Sequence, residues 1–247
     1  MSVGVKFPDP LVEARLVRRY KRFLADVEWP DGTVTTAHIA NPGSMLGLAT
    51  EGARVWLSPA NNPKRKLRHS VELIEADGVP VLVNTARPNA VAGAALTAGA
   101  IPAFARYSVV RPEVKAGEEG SRIDFLLTDP KTDERLFLEV KSVTLGASDT
   151  GWFPDAVTKR GQKHLRELAR LRDKTTEAGL LFLVGRGDVE AVRPADRIDP
   201  AYGALLREVV DQGVQVHAWQ LDVSPTGLAV SRELPVRLTG GDGGPQR

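Results

Sequence analysis

The stretch that most constrains this fold is Ser121 to Ser142, SRIDFLLTDPKTDERLFLEVKS, two apolar runs joined by a polar turn at Asp129-Pro-Lys-Thr. Side chains on a strand alternate between faces, so Glu139 and Lys141 share one side of the second run while Leu138 and Val140 share the other. Leu138 and Val140 demand an apolar layer beneath them. Pairing of the two strands then brings Asp124 of the first next to Glu139 of the second. A chain with these runs folds around a sheet that presents two carboxylates and an amine together. That set suits metal-assisted phosphodiester hydrolysis: a hard cation takes oxygen ligands, and a lysine counters charge on the phosphate. Asp124, Glu139 and Lys141 are therefore the candidate catalytic residues. Asp124, Glu139 and the Val140 carbonyl are the candidate ligands for Mg²⁺ or Mn²⁺.

Upstream, residues 11–83 read as β-rich. Val17 to Trp29 alternates basic and apolar residues, Asp31-Gly32 is a hairpin-turn signal, and Thr33 to Ile39 resumes a β-branched pattern. Further strands are predicted at Ala53–Leu57, Leu67–Ile74 and Val79–Val83. Short strands at this spacing suit a small barrel of the OB type, which commonly takes single-stranded nucleic acid, or another small β-barrel. Two basic clusters fall here, Arg15, Arg18, Arg19, Lys21 and Arg22, and then Lys64, Arg65, Lys66, Arg68 and His69. A run of like charge is commonly a solvated face, but two on one small barrel suit a phosphate backbone. Asn41-Pro-Gly-Ser-Met45 reads as a tight polar turn, with a phosphate cradle as the alternative.

Downstream, Ala90–Ala98 reads as a short helix stopped by Gly99, and Tyr107–Lys115, Arg122–Thr128 and Leu136–Thr144 read as three strands. A helix from Pro154 or Asp155 to Lys174, a buried strand at Leu180–Val184, a helix at Asp199–Gln212 and a strand at Val214–Leu221 follow. Helix, three strands, helix, strand, with Asp on the second strand and Glu-x-Lys on the third, matches the PD-(D/E)xK nuclease core. Glu113, on the preceding strand, is either an additional acid at the metal or a solvated strand residue. On the helix after the triad, Arg160, Gln162 and Lys163 are candidate backbone contacts, with a plain solvent-facing helix as the alternative. His164, on the same face, is either part of that contact or structural.

Composition narrows the remaining classes. The chain has no cysteine, which excludes disulfides and thiolate zinc sites and fits a reducing, cytoplasmic setting. Its four histidines lack zinc-ligand spacing, and no P-loop, dinucleotide fingerprint or serine-nucleophile elbow is present. The start, MSVGVKFPDP, carries no apolar leader, and no run is long enough to span a membrane. Basic and acidic residues, 33 against 31, nearly balance, so a nucleic-acid partner is argued from clustering and not from the net charge of +2.

The chain resembles the sugar fermentation stimulation protein A (SfsA) family. The resemblance is carried by Lys21-Arg-Phe-Leu24, His38 with Asn41-Pro-Gly-Ser-Met45, Pro88-Asn89, Glu113-Val-Lys115, Ser121-Arg-Ile-Asp-Phe125 and Glu139-Val-Lys-Ser142. It continues in Phe153-Pro-Asp-Ala-Val-Thr158, Arg160-Gly-Gln-Lys-His-Leu165 and Asp199-Pro-Ala-Tyr202. Asn-Pro-Gly stands at 41–43 where the family often has Asn-Thr-Gly. The resemblance implies an α+β architecture: an N-terminal OB-like barrel at residues 1–84 and a PD-(D/E)xK nuclease-like αβββαβ domain at 85–236; the glycine-rich tail at 237–247 departs from the family and is expected to be disordered. It also implies DNA binding, a role in regulating sugar-utilisation genes, and an active site at Asp124, Glu139 and Lys141 with Glu113 as an extra acid. Three functions are compatible with these residues: a Mg²⁺-dependent nuclease acting on DNA or RNA, a non-catalytic DNA-binding regulator, and a hydrolase of small phosphodiesters.

Overall fold

The computed structural model describes residues 3–60, 62, 64–117, 121–239 and 244. The first strand is short, β1 (Gly4–Lys6), and is followed by β2 (Val12–Tyr20), β3 (Leu24–Glu28), β4 (Val34–Ile39), β5 (Arg54–Pro59), β6 (His69–Ala76) and β7 (Val79–Leu82). Strands β2 to β6 form a closed five-stranded OB barrel: antiparallel neighbours run β4-β3-β2-β5-β6, and a parallel pairing of His38 with Ser70 joins the two ends. Inward positions carry Leu16, Val27, Ile39, Leu57, Val71 and Ile74, all almost fully buried. The hairpin expected at Asp31-Gly32 forms, with Gly32 in the left-handed region at φ 81°.

The run from Val17 to Trp29 is two strands, because Lys21 and Arg22 turn the chain with φ of 48° and 63°. Left-handed backbone costs a non-glycine residue about 1–2 kcal/mol. The turn is held by Phe23 N–H donating to the Lys21 carbonyl (2.8 Å) and by Arg19 Nε donating to the Arg22 carbonyl (3.1 Å). Alternation continues through both strands, which hides the break from pattern alone.

The second half contains α1 (Arg87–Thr97), β8 (Val109–Ala116), β9 (Ser121–Thr128), β10 (Arg135–Val143), β11 (Leu145–Ala147), β12 (Thr150–Phe153), α2 (Lys159–Leu171), β13 (Thr176–Val184), β14 (Ala191–Pro194), α3 (Pro200–Asp211), β15 (Gln215–Ser224) and β16 (Gly227–Leu234). A seven-stranded mixed sheet runs β1-β16-β15-β13-β10-β9-β8. Helix α1 covers one face over Leu136, Leu138, Val140 and Leu181, while α2 and α3 cover the other over Leu180, Phe182 and Val184. Strand alternation thus places Glu139 and Lys141 on the side of α2, as their spacing requires. Helix α2 begins at Lys159 rather than at 154 or 155, because Thr158 Oγ1 caps it by accepting from Gly161 N–H.

Both ends of the chain also differ from those read in the sequence. Strand β1 belongs to the second sheet, pairing Gly4 with Ala229 and Lys6 with Gly227. A three-residue strand is too short to show a period. Gly4 fits because a Cβ there would meet the Leu228 carbonyl oxygen at 2.2 Å. At the other end, Val236 bridges to Val192, Arg237 N–H donates to the Val192 carbonyl, and Leu238 packs on the α2–α3 core. Residues 237–239 are therefore held in place. Residues 240–243 and 245–247 of the expected disordered tail lie outside the described residues.

Candidate active site

The site begins where two strands part. Strands β9 and β10 are in register from Arg135 opposite Thr128 to Leu138 opposite Phe125, and the ladder stops one pair short of Asp124 and Glu139. There the Asp124 side chain replaces a main-chain acceptor, its Oδ2 taking the Val140 N–H at 2.8 Å. Its Oδ1 accepts from Asn89 Nδ2 on α1 at 2.7 Å. The carboxylate is thereby held from both sides of the gap. Burial, and next the charge of Glu139, push the Asp124 carboxyl above its ordinary value, against the hydrogen bonds from Val140 and Asn89.

Glu139 is 2% exposed. Its Oε1 accepts from Lys141 Nζ at 2.6 Å and makes a short contact with His164 Nδ1 of α2. Burial pushes the Glu139 carboxyl up, but the His164 hydrogen bond and the Lys141 charge outweigh it and hold the group below its usual value. Its Oε2 is buried and has no hydrogen-bond partner among the described residues. Asp124, Glu139 and Lys141 line one cleft of about 520 Å³. Opposite them stand Asn41, Pro42 and Gly43 of the barrel, and the side is closed by the loop Pro154–Val157.

The Asn41–Met45 turn meets that loop directly. Asp155 accepts from Met45 N–H (3.0 Å) through Oδ2 and from Ser44 Oγ (2.6 Å) through its carbonyl. A Cβ on Gly43 would lie 2.5 Å from Asp155 Oδ2, so the approach needs glycine. The amides that a phosphate cradle requires are thus partly committed within the protein, and the turn serves to fasten the two halves at the cleft.

The remaining sequence candidates are spread out. Glu113 of β8, with φ 56°, falls opposite Asp124 in a register that runs unshifted from Pro112 opposite Phe125 to Val114 opposite Ile123, although the 113–124 pair itself is not bridged. It accepts a long hydrogen bond from Arg122 (3.4 Å), and both side chains are exposed. Arg18 pairs with Asp26, and Arg19 donates to the carbonyls of Asn41, Gly43 and Ser44 as well as Arg22. Lys21 and Arg22 are exposed on the β2–β3 turn, and Lys64, Arg65, Lys66 and Arg68 lie on the β5–β6 loop. Arg160 lines the cleft, and Lys163 is half-buried on α2. Gln162 is buried away from it, donating to both oxygens of Asp199. His164 is the part of the site that sequence left undecided, and Asn89 was missed. The signal for Asn89 was its place after Pro88 at the start of a helix facing the sheet.

The donor set fits a hard divalent cation. Two carboxylates on neighbouring strands face one cleft, and one of them carries a buried oxygen without a partner. Among the described residues no group of three His, Cys, Asp or Glu side chains converges as a metal cage, so Glu113 does not complete one.

Family comparison decides the relationship. The model described as "Sugar fermentation stimulation protein RE domain" matches residues 86–227, and the model "SfsA N-terminal OB domain" matches residues 17–83. A Pseudomonas aeruginosa sugar fermentation stimulation protein homolog is 52% identical over 237 residues, 95% of this chain and 100% of its own length. The chain belongs to the SfsA family. The Syntrophotalea carbinolica homolog is 51% identical over 235 residues, again 95% of this chain and all of its own length. Among solved structures, Pyrococcus furiosus SfsA in complex with Ca²⁺ matches with a TM-score of 0.85 at 24% identity, over 96% of this chain and 99% of that one. That likeness extends the SfsA fold to both halves described above. No helix among the described residues is long and apolar enough to cross a membrane.

Proposed function

We propose that this SfsA chain is a divalent-cation-dependent nuclease that holds DNA on its barrel and hydrolyses a phosphodiester at Asp124, Glu139 and Lys141. The observation that carries this reading is Glu139, nearly fully buried beside Asp124 with Oε2 unpartnered. Two acids in a cleft meant for a polyanion repel it unless a cation intervenes. Asp124, Glu139 and the Val140 carbonyl are the groups that hold Mg²⁺ or Mn²⁺. A cation held there would supply Lewis-acid chemistry toward the phosphodiester and water. Lys141 lies beside Glu139 and counters negative charge gathering on the phosphate. Asn89 and His164 fix the orientation of the two carboxylates, as outer partners do at metal sites. The Pyrococcus furiosus relative, captured with Ca²⁺, supports a hard-cation site.

A second reading, a DNA-binding regulator without catalysis, draws on the lean donor set, since no third acid joins the pair among the described residues. The link to sugar-utilisation genes comes from the family name and needs no group in the cleft. One experiment separates the two: single-stranded, double-stranded and branched DNA, plus RNA, are incubated with and without Mg²⁺ or Mn²⁺, beside Asp124→Asn and Lys141→Ala. Cleavage is expected only with metal, and each variant is expected to lose on the order of 100-fold or more in rate while retaining binding. Binding without cutting in every mixture selects the regulator, and variants that cut like the parent remove these residues from catalysis.

A further inference from the structure

Phe23 is 43% exposed, and it is the one aromatic among the large apolar side chains that stand out from the described surface. Its ring is nearly parallel to that of His38 and offset from it, with centroids 6.4 Å apart and planes 15° from parallel. The two come from different strands, since Phe23 ends the β2–β3 turn and His38 belongs to β4. Burial, and next the charge of Arg65, push the His38 imidazole below its ordinary value, which favours a neutral ring behind Phe23 near pH 7. Around the pair stand the cations of both barrel loops, Lys21 and Arg22 on the β2–β3 turn and Arg65 on the β5–β6 loop.

An exposed aromatic ring backed by a second ring and flanked by cations has the features that stack an unpaired base while holding its phosphates. A paired duplex offers no such free base face. The position of the pair ties it to the cleft. His38 is three residues before Asn41, so a strand running from one to the other covers only about 10 Å. The Arg19 guanidinium joins the two regions, donating to Arg22 on the turn and to Asn41, Gly43 and Ser44 on the cleft rim. A base stacked on Phe23 would thus be held at a fixed offset from Asp124 and Glu139.

We propose that Phe23, backed by His38, is a base-stacking platform that selects single-stranded DNA, or an unpaired segment of a longer DNA, and sets its register in the cleft. This rests on the nucleic-acid reading above and names its substrate class. The test is fluorescence anisotropy with a labelled oligothymidylate and a duplex of equal length, taking the full-length Asp124→Asn chain with Mg²⁺ present as parent so that nothing is cut. Phe23→Ala is expected to weaken oligothymidylate binding about ten-fold, the usual effect of losing one stacked base. Phe23→Tyr is expected to restore it, and duplex binding is expected to stay unchanged in both. Equal binding of oligothymidylate by Phe23→Ala and the parent overturns the platform while leaving DNA binding in place. So does an equal loss on single strand and duplex. A parent that binds neither DNA overturns the nucleic-acid reading as well.

Discussion

Lys141 and His164 converge on the same oxygen of Glu139 and leave the other without a partner, so the residue is half neutralised and half available. A buried carboxylate oxygen without a hydrogen bond is costly, and a bound cation relieves that cost. Binding to the folded state alone stabilises it by RT ln(1 + [L]/Kd), about 2.7 kcal/mol at 100 times Kd. We therefore expect Mg²⁺, Mn²⁺ or Ca²⁺ to raise the melting temperature of the parent but not that of Asp124→Asn or Glu139→Gln, as read by calorimetry. Equal shifts in parent and variants would place the cation elsewhere. At this scale, Asp124 beside Glu139 was legible because a period of two and one register determine both. The roles of His164, Gln162 and Arg19 were not. Which side of a helix or barrel edge meets which neighbour depends on contacts far away in the chain. Gln162 on Asp199 spans 37 residues, and Arg19 on Ser44 spans 25.

Helices α2 and α3 share one acid. Asp199 caps α3 by accepting from Tyr202 N–H at 2.9 Å, and it also accepts from Thr158 N–H (2.8 Å) and the Gln162 amide at the start of α2. The loop that closes the cleft ends at Thr158, so this carboxylate positions a wall of the site from behind. Burial raises the Asp199 pKa, and the hydrogen bonds from Thr158, Tyr202 and Gln162 more than reverse this, leaving it below the ordinary value. A lowered carboxyl contributes stability in full above the unfolded pKa, about 3.9, and loses it as pH falls through the folded value. Asp199→Ala is expected to cost about 2–4 kcal/mol at pH 7. Urea melts across pH should show that gap constant down to about pH 4 and shrinking only below it. A gap that shrinks between pH 7 and 5 would mean that another group carries the effect. Helix α3 was legible to within a residue because Asp199-Pro200 is a cap followed by proline at the first helical position. Strands β11, β12 and β14 were not, because three or four residues show no period.

Because β1 lies at the edge of the second sheet and the chain returns to that half at α1, the barrel is inserted within the second domain rather than placed before it. The cleft has one wall from each half, so its width depends on how firmly they are joined. Arg186, whose side chain is 2% exposed, is one of these ties: it donates to Asp77 on the β6–β7 turn at 2.8 Å, to Asp188 at 2.6 Å and to the Thr144 carbonyl at 3.0 Å. A Cβ on Gly146 would come within 2.3 Å of its guanidinium carbon, so the backbone closes around it. Glu72 of the barrel, bonded to Arg87 of α1, makes a second tie, and Leu82 N–H to the Gly185 carbonyl a third. Ties of this kind couple the unfolding of the two halves. The parent is expected to melt in one transition whose van't Hoff and calorimetric enthalpies agree. Arg186→Met strands Asp188 beside an apolar side chain and frees the Asp77 turn, costing about 3 kcal/mol. Its van't Hoff enthalpy should fall below the calorimetric one as the barrel begins to melt ahead of the larger sheet. If the two enthalpies still agree in the variant, the remaining ties suffice, and the cleft walls are held together without Arg186.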